Sequence, residues 1–565
     1  APYSPSMTCG KCHDHGTISS GFHFNTTDPD APKGRPAQAW IFSEPELAIQ
    51  LPLSYRAWPG TYRPDAIGLS RWEFTMRFGR HLPGNDAAAA PEDEDDADAD
   101  ARWNASGDLE IDCMACHSGD MQHSQAERAA QIDRQNLKWV PTAASGLAVI
   151  RGSAENLAEE VDPFLMPDLE AATAPGGPTV LYQEHRFNAD DRVFFNVTNS
   201  PSPNRCLYCH TNREVGADAP PAWQRDGDVH MAAGMNCSDC HRHGLDHAIT
   251  RGYPGEPVLT EHPEAASLSC RGCHYDGGNE DHPADGRLGA PRPAHTGLPA
   301  LHLEELSCTT CHSGLVPAAA ARRIQTSRAH GLGIGRKDRG PDELPYIAEP
   351  VFMEMEQDGR EIIVPTRTVW PAFWGRVRDG ELVPVPVEQV RETLADLLTP
   401  ASDTPYRNWP ELDPGTLKNA LAALAETGEE GNVAYIAGGQ MHRLDENGAI
   451  IAKDHPAARP YFWPVAHDVR AAGDSLGARD CSECHAADAP FFQASVLAGP
   501  GAGRARARPM HSFLDEDMTA MRIWAFLLPL RELFIGICLV SVAVMIVSLI
   551  HYALIGVGVI ARKPC

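Results

Sequence analysis

The longest apolar stretch of the chain lies near its C-terminal end. Leu533–Ala561 contains 29 residues without a formal charge, and about 20 apolar residues are enough for a helix to cross a bilayer. Arg562 and Lys563 follow at once, so the positive-inside rule places the C-terminus in the cytoplasm and the rest of the chain outside it. Met518–Leu530 is apolar and broken by Pro529, which predicts a segment lying along the membrane interface. The alternative for the longer stretch is a helix buried in a soluble protein.

Between residues 341 and 465 the pattern is that of an ordinary α+β unit. Strand-like runs flank Asp-Gly and Asn-Gly turns, which indicates β-hairpins, and two runs with a helical apolar repeat indicate helices. The predicted hairpins are Val351–Pro365, Phe373–Pro384 and Asn432–Ala452, with turns at Asp358-Gly359, Asp379-Gly380 and Asn447-Gly448, and the predicted helices are Val387–Leu398 and Thr416–Ala425. We expect this insert to be a scaffold or a platform for a partner, with no catalytic residue.

Cysteine gives the clearest chemical signal. The chain has 16 Cys, and 14 of them form seven copies of the pattern Cys-x-x-Cys-His. Numbered 1 to 7 in chain order, these motifs are Cys9/Cys12/His13, Cys113/Cys116/His117, Cys206/Cys209/His210, Cys237/Cys240/His241, Cys270/Cys273/His274, Cys308/Cys311/His312 and Cys481/Cys484/His485. Only Cys538 and Cys565 lie outside the pattern. So regular a repetition is not a product of chance.

The pattern is the attachment sequence of c-type haem. Its two thiols reach two vinyl groups on one porphyrin edge, and the His that follows ligates the iron. Zinc ribbons also use Cys-x-x-Cys pairs, but they need no His after each pair, and the 27 residues between Cys209 and Cys237 exceed their usual spacing. A disulfide framework would not place a His after every second Cys. We therefore predict seven covalently attached c-type haems.

Haems replace much of the usual protein core, which changes the expected fold. The chain contains 48 Gly and 47 Pro, as suits many turns between short helices. The predicted fold class is mainly α with much irregular structure, a small α+β insert and one transmembrane helix. The predicted segments are 1–340 with six haems, 341–465 without haem, 466–512 with the seventh haem, and 513–565 with the interfacial segment and the transmembrane helix.

A low-spin electron-transfer haem needs a second axial ligand, which in multihaem proteins is most often another His. The chain has 25 His, and the seven in the motifs leave 18. Candidates are residues near a motif or on a stretch flanked by aromatic or apolar residues, namely His23, His230, His247, His302, His330 and His467. For the seventh ligand His295, His81 and His123 compete, and we choose His295. A spare His is otherwise a surface residue or a hydrogen-bond partner.

The charge of the chain narrows the range of partners. A formal net charge of −28 argues against nucleic acid and against an anionic lipid surface. Asp86–Asp100 holds eight acids and no base, which indicates a solvated loop or, alternatively, a docking patch for a basic soluble electron carrier. Because c-type cytochromes are assembled outside the cytoplasm and Ala1 is not Met, we expect a removed secretory signal and a periplasmic haem domain.

Three stretches resemble a known group of proteins. Met7–His13 (MTCGKCH), Gly234–His241 (GMNCSDCH) and Phe462–Arg470 (FWPVAHDVR) resemble the octahaem tetrathionate reductase-like cytochromes, which belong to the hydroxylamine oxidoreductase-like group. The resemblance covers about residues 1–340 and 460–490 and implies stacked haem pairs arranged as a wire. Reductases of that group carry an eighth haem on a motif in which Lys replaces His. This chain has no Cys-x-x-Cys-Lys, so that catalytic haem is missing.

Two functions follow as alternatives. The preferred one is an electron-transfer subunit of a respiratory or photosynthetic complex, which links a membrane cytochrome b or quinone-linked subunit to a periplasmic carrier. The other is a reductase of a small sulfur or nitrogen oxyanion at one open haem, with Arg322, Arg323 and His330 as candidate substrate groups. His551 lies within the apolar stretch, so it is a candidate contact to a partner's b-type haem or quinone; the alternative is an interface location beside Tyr552.

Overall fold

A computed structural model of the chain describes most of its 565 residues. The described residues are 1–84, 104–157, 176–210, 228–249, 269–274, 290–314, 347–398, 412–497 and 507–562, apart from short gaps at 29, 32, 34–35, 121, 358–359, 487, 514–517 and 528–529. Several residues singled out in the sequence lie outside them: Asp86–Asp100, Arg322, Arg323, His330, Asp358-Gly359, Pro529 and Lys563.

The strands of the described residues form two five-stranded sheets and two two-stranded sheets. Their bounds are β1 Trp40–Glu44, β2 Ile49–Leu53, β3 Ala148–Arg151, β4 Thr179–Tyr182, β5 Ile347–Gln357, β6 Arg360–Val369, β7 Phe373–Arg378, β8 Glu381–Pro384, β9 Asn432–Ala437, β10 Gln440–Leu444, β11 Ile450–Asp454, β12 Tyr461–Pro464, β13 Ser495–Leu497 and β14 Ala507–Pro509. The first sheet has the order β11-β10-β9-β7-β8 and the second has the order β12-β6-β5-β13-β14. The two-stranded sheets are the hairpin β1-β2 and the antiparallel pair β3-β4.

Turn chemistry explains the hairpins of the insert. Between β7 and β8, Asp379 and Gly380 have φ values of 49° and 86°, and two successive positive φ values match the twist of the flanking strands. Gly438 and Gly439, with φ values of 60° and 84°, form the same kind of turn between β9 and β10. The sequence prediction named the Asp-Gly turn but not the Gly-Gly turn. Asn432–Ala452 therefore contains three strands, where one hairpin around Asn447-Gly448 was expected.

Most helices are short. Apart from 3₁₀ turns, their bounds are Pro5–Cys9, His15–Ser19, Arg71–Phe78, Cys113–His117, Gln125–Asp133, Val140–Ala144, Pro203–Leu207, Val229–Ala232, Cys237–Cys240, Cys270–His274, Ala300–Glu305, Cys308–His312, Val387–Leu398, Pro414–Glu426, Ser482–His485, Pro490–Gln493, Met510–Phe513, Met518–Leu527 and Leu530–Ala561. The fold is thus a mixture of helix and sheet, whereas the sequence predicted a mainly helical chain. The difference arises because the N-terminal part and residues 461–509 also contribute strands.

The main hydrophobic core joins the insert to the N-terminal part of the chain. Helices Val387–Leu398 and Pro414–Glu426 pack on the first sheet, and the same core includes β1, β2 and helix Arg71–Phe78. Two buried side chains of the insert hydrogen bond to the N-terminal part. Trp374 donates its indole N–H to the carbonyl of Leu47 at 2.9 Å, and the Tyr435 hydroxyl donates to the carbonyl of Ala48 at 2.7 Å. The division of the chain at residues 340 and 465 stays a prediction, but the insert does not form its core alone.

The last helix differs from all the others. Leu530–Ala561 has 32 residues, and among the described residues it is the one helix long and apolar enough to cross a membrane. Its side chains do not pack into the protein, which argues against the alternative of a buried soluble helix. At 1.5 Å per residue it is about 48 Å long, more than the roughly 30 Å of a bilayer's hydrocarbon core. This helix can therefore serve as a membrane anchor.

Candidate cofactor sites

All seven motifs open onto one cavity. Its volume is about 3280 Å³, and every Cys and His of the seven motifs lines it. A pocket for a single small ligand typically measures about 300–1,000 Å³, so this cavity has room for several cofactors. Most of its wall is apolar, as a porphyrin requires.

The local backbone explains how a motif presents its side chains. In motifs 1, 3, 4 and 7 the His N–H donates to the carbonyl of the first Cys, at 3.0, 2.9, 2.9 and 2.8 Å. This bond closes one helical turn, and residues three and four positions apart then lie on the same side of the helix. Both thiols and the imidazole therefore face the same way. The other three motifs also lie on one-turn helices.

Six of the motif imidazoles face a second imidazole from elsewhere in the chain. The distances between ring centroids are 5.9 Å for His117–His247, 6.1 Å for His210–His23, 5.7 Å for His241–His467, 5.9 Å for His274–His230, 6.3 Å for His312–His295 and 5.9 Å for His485–His302. Below, site 1 to site 7 denote each motif together with its facing His, where one is present. Each of these six pairs joins one motif His to one His outside the motifs. His247 also lies near a further non-motif imidazole, that of His243, at 4.6 Å between ring centroids.

The separation of the rings fits one iron between them. A metal–imidazole bond is about 2.0–2.1 Å long, so two opposite bonds put the Nε2 atoms about 4 Å apart and the ring centroids roughly 6 Å apart. In site 4 the Nε2 atoms of His241 and His467 are 3.5 Å apart. Among the described residues, no group of three or more His, Cys, Asp or Glu side chains is placed to hold a bare metal ion. The spacing of the six imidazole pairs fits a haem iron held between the two rings.

Hydrogen bonds to the other ring nitrogen orient these imidazoles. In site 2, Nδ1 of His117 lies 2.8 Å from the Thr198 carbonyl and Nδ1 of His247 lies 3.0 Å from the Leu245 carbonyl. A carbonyl can only accept, so each Nδ1 carries the proton and each Nε2 keeps the lone pair that a metal requires. In site 5, Nδ1 of His274 likewise lies 2.9 Å from the Pro291 carbonyl.

Burial keeps several of these rings neutral. The pKa of His23 is lowered to about 3, first by burial and then by His210, His243, His247 and Arg56. Burial is also the main cause that lowers the pKa of His247 and of His312. A neutral imidazole is the form that binds a metal.

Arg56 positions the loop that carries His23. Its guanidinium donates to the Phe22 carbonyl at 3.0 Å and to Oδ1 of Asn25 at 2.5 Å, and it lies 3.9 Å above the centroid of the Phe22 ring. Only 5% of Arg56 is exposed. Sequence reasoning missed this residue, because an Arg distant in the chain from both motif 3 and His23 gives no local signal.

Asp228 is a second residue that the sequence did not reveal. One carboxylate oxygen lies 3.2 Å from Nδ1 of His230, and the other accepts the backbone N–H of Val469 at 3.0 Å. Burial alone would raise the pKa of Asp228, but these hydrogen bonds hold it well below its usual value. Asp228 therefore stays ionised and orients the facing imidazole of site 5.

The segment His467–Arg470 ties site 6 to its neighbours. His467 faces motif 4, and its carbonyl accepts the N–H of Gly314 just after motif 6 at 3.2 Å. The backbone N–H of Arg470 donates to the His312 carbonyl at 2.7 Å, and its guanidinium donates to the Cys311 carbonyl at 3.0 Å. With the bond from Val469 to Asp228, one short segment holds sites 4, 5 and 6 together.

The attachment thiols show the order of the sites. Cys9 lies beside Cys113, Cys206 beside Cys237 and Cys270 beside Cys308, and Cys116, Cys240 and Cys311 lie near Cys209, Cys273 and Cys484. Each of these contacts joins consecutive motifs. The seven sites therefore follow one another in space as the motifs do in the chain.

The structure brings together six of the seven predicted facing ligands. His23, His230, His247, His295, His302 and His467 each lie opposite a motif His, while His330 lies outside the described residues. Iron ligation itself stays a prediction for all of them. For His13 of motif 1, no second imidazole within the described residues comes as close as in the six pairs.

The two competitors for the seventh ligand have other contacts. Nε2 of His123 lies 2.7 Å from Oδ2 of Asp112, and both side chains are fully buried. Nδ1 of His81 lies 3.1 Å from the carbonyl of Cys209 in motif 3. His295, by contrast, faces the motif imidazole of His312.

Comparison with known proteins adds little to this geometry. No family model and no curated protein matches the chain. Among solved structures, the octaheme cytochrome c from Shewanella oneidensis is similar over 66% of this chain and 81% of its own, with 14% sequence identity and a TM-score of 0.26. The octahaem tetrathionate reductase-like resemblance stays a prediction.

Proposed function

We propose that the chain is a multihaem c-type cytochrome that transfers electrons along a row of seven haems and is held to a membrane by its C-terminal helix. The observation that carries this proposal is the set of six imidazole pairs in one cavity, each made of one motif His and one other His. A haem bound there supplies a one-electron Fe(III)/Fe(II) couple. The chain's residues determine what that couple can do.

Two axial imidazoles favour electron transfer over catalysis. In sites 2 to 7 the two facing imidazoles would hold an iron from both sides, which would leave it no position for a substrate. The fixed Nδ1–H donors in sites 2 and 5 keep the rings in one orientation, which limits rearrangement of the ligands when the charge of the iron changes. The contacts between consecutive attachment thiols keep neighbouring sites close, as electron transfer between them requires.

The C-terminal part of the chain supports the location that we propose. Leu530–Ala561 supports a membrane anchor, and Arg562 and Lys563 behind it support a cytoplasmic C-terminus. The haem sites then lie in the periplasm, the compartment in which c-type haem is attached. The partners we propose are a membrane cytochrome b or quinone-linked subunit and a periplasmic electron carrier.

The test combines haem content with spin state. A pyridine haemochrome assay on the intact protein, normalised to protein mass, should give seven c-type haems, and EPR of the oxidised protein should give low-spin signals for the six paired sites. A clearly different haem content, or several high-spin haems, would contradict the proposal. A single high-spin signal that disappears when motif 1 is removed would instead favour the alternative, a reductase with its open haem at site 1.

A further inference from the structure

Site 7 contacts the segment that leads into the membrane helix. The one-turn helix Ser482–His485 of motif 7 contacts helix Met518–Leu527, and Ala520 of that helix lines the cavity shared by the motifs. Ile523, Phe526 and Leu527 on the same helix are 57%, 73% and 46% exposed. An exposed apolar face immediately before a membrane helix is suited to the bilayer interface.

An apolar cluster fixes this arrangement. The Phe492 ring lies 4.7 Å from the ring of His485, and Phe492 is packed in a buried cluster with Leu306, Phe491 and Met510. Leu306 lies between His302 and motif 6, while Met510 begins the helix that precedes the membrane segment. The cluster therefore links both imidazoles of site 7 to the chain that enters the membrane.

The other end of the row lies elsewhere. The contacts between thiols of consecutive motifs place site 1 and site 7 at opposite ends of the row, with five sites between them. Around motif 1, Ser4 and Ser6 hydrogen bond to Glu110 at 2.9 and 2.8 Å, so the N-terminal segment packs next to motif 2. One end of the row thus adjoins the membrane segment and the other adjoins the N-terminus.

We propose that site 7 is the point at which the chain exchanges electrons with a quinone-linked membrane partner, and that site 1 is the remote end. This inference rests on the proposed function and specifies which site meets which partner. In each exchange one electron moves between the site-7 iron and a one-electron centre of the partner. One centre is oxidised as the other is reduced, and the chain neither forms a bond nor takes up a proton.

A spin label tests the proximity. Ala520→Cys would carry a nitroxide in intact, haem-loaded protein whose Cys538 and Cys565 are replaced by Ser. His302→Ala should turn site 7 high-spin and increase the nitroxide relaxation rate several-fold, because a high-spin iron is a much stronger relaxant. The matched change at site 3, His23→Ala, should leave that rate unchanged. An equal response to both substitutions, or a response to His23→Ala alone, would overturn the placement.

The order of reduction tests the exchange itself. In each variant, the high-spin absorbance that is absent from the unsubstituted protein marks the substituted site. When duroquinol is added to native membranes that contain the chain and its partner, the band of the His302→Ala variant should bleach in the first kinetic phase and the band of the His23→Ala variant in a later one. The reverse order would overturn the inference. A fully haem-loaded chain that accepts electrons from dithionite but none from duroquinol would also overturn it, while the cytochrome proposal would stand.

Discussion

Two regions of this protein obtain their stability in different ways. In the first sheet and its two helices, side chains such as Leu394, Leu417 and Leu421 are at most 1% exposed. Residues 228–314 carry three motifs, yet their buried described residues are few and mostly small or polar: Asp228, Ala248, Gly272, Leu306, Thr310 and Ser313. The first region fills its core with its own apolar side chains, whereas the second lines the cavity that, in the proposed cytochrome, the haems fill. The folding of the second region should therefore depend on haem attachment.

The largest effect should follow the loss of haem. If the chain is produced without haem attachment, residues 228–314 should lose most of their protection against hydrogen exchange, because few apolar side chains there leave water on folding. The first sheet should keep its protection. Hydrogen exchange followed by mass spectrometry compares both regions in one sample, with the haem-loaded protein as the control. Equal protection of residues 228–314 with and without haem would show that the contrast is wrong.

The next effect concerns the buried pair of Asp112 and His123, next to motif 2. Burial alone would raise the pKa of Asp112, but the charges of His123 and Arg128 hold it below its usual value. Replacing one partner of a buried pair typically costs about 3–5 kcal/mol, and His123→Leu should lower the free energy of unfolding by that amount. Urea denaturation measures it, and the double variant Asp112→Asn/His123→Leu should lose less than the single one.

The same pair predicts a pH dependence. Because the folded pKa of Asp112 lies below the unfolded value of about 3.9, its contribution is present above about pH 4 and is lost as the pH falls through the folded pKa. The Asp112→Asn variant should lack this step when the free energy of unfolding is measured against pH. If the free energy of unfolding falls equally in both proteins as the pH is lowered, the stability of this part of the motif region comes from its apolar contacts instead.

A smaller loss of stability should follow truncation in the side-chain core. Leu394 and Leu397 lie on one helix, with exposures of 0% and 38%. Leu394→Ala should cost about 2–5 kcal/mol, since it leaves a cavity, while Leu397→Ala should cost about 0.5 kcal/mol or less, as at surface positions. Circular dichroism during urea denaturation gives both values, and the Soret spectrum should be the same for the two native proteins. Similar losses for the two variants would contradict a core of side chains here.

Local features of the fold were predictable, and long-range ones were not. The apolar repeat predicted helix Val387–Leu398 with the bounds that the structure has, because periodicity and end signals lie within the element. The sharing of a core between Tyr435 and Ala48 was not predictable, since nothing local relates residues nearly 400 positions apart. Sequence reasoning missed β13 and β14 for the same reason. Each is only three residues long, and they are strands because β13 pairs with β5 and β14 pairs with β13.

The site shows the same limit. Chain position identified His302 and His467 as candidates, but it did not tell which motif each one faces. His302 lies six residues before motif 6 and faces His485 of motif 7, and His467 lies fourteen residues before motif 7 and faces His241 of motif 4. A ligand near a motif in the chain therefore need not belong to it. The supporting contacts of Asp228 and Arg56 also join distant residues and leave no pattern in the sequence.

A change confined to one site should follow the loss of a facing imidazole. His467→Ala should convert the haem of site 4 from low to high spin and leave both regions folded, because His467 packs on the cavity rather than in a core. EPR and the Soret band report the spin state, and far-ultraviolet circular dichroism reports the fold. His185→Ala, at an exposed position, is the matched control and should change neither. An unchanged spin state in the His467 variant would remove this residue from the ligands.

The smallest effect is expected at His551, the one imidazole within the membrane helix. At 1.5 Å per residue it lies about 27 Å along the helix from Leu533, near the C-terminal end of the uncharged stretch. Its ring lies 5.9 Å from that of Tyr552, and an aromatic neighbour at this depth is typical of an interface belt. A b-type haem would need an opposite imidazole, and His511 is 40 residues away in the chain, too far for this helix to supply both ligands.

His551→Leu should therefore leave electron transfer from quinol unchanged in the intact complex, together with any b-type spectrum that the partner contributes. His302→Ala is the comparison. Loss of this histidine, which belongs to site 7, should alter the haem spectrum, whereas loss of His551 at the membrane interface should not. A lost b-type signal in the His551 variant would instead make this helix part of a second redox site. Slower transfer with an unchanged b-type spectrum would point to a proton or quinone role.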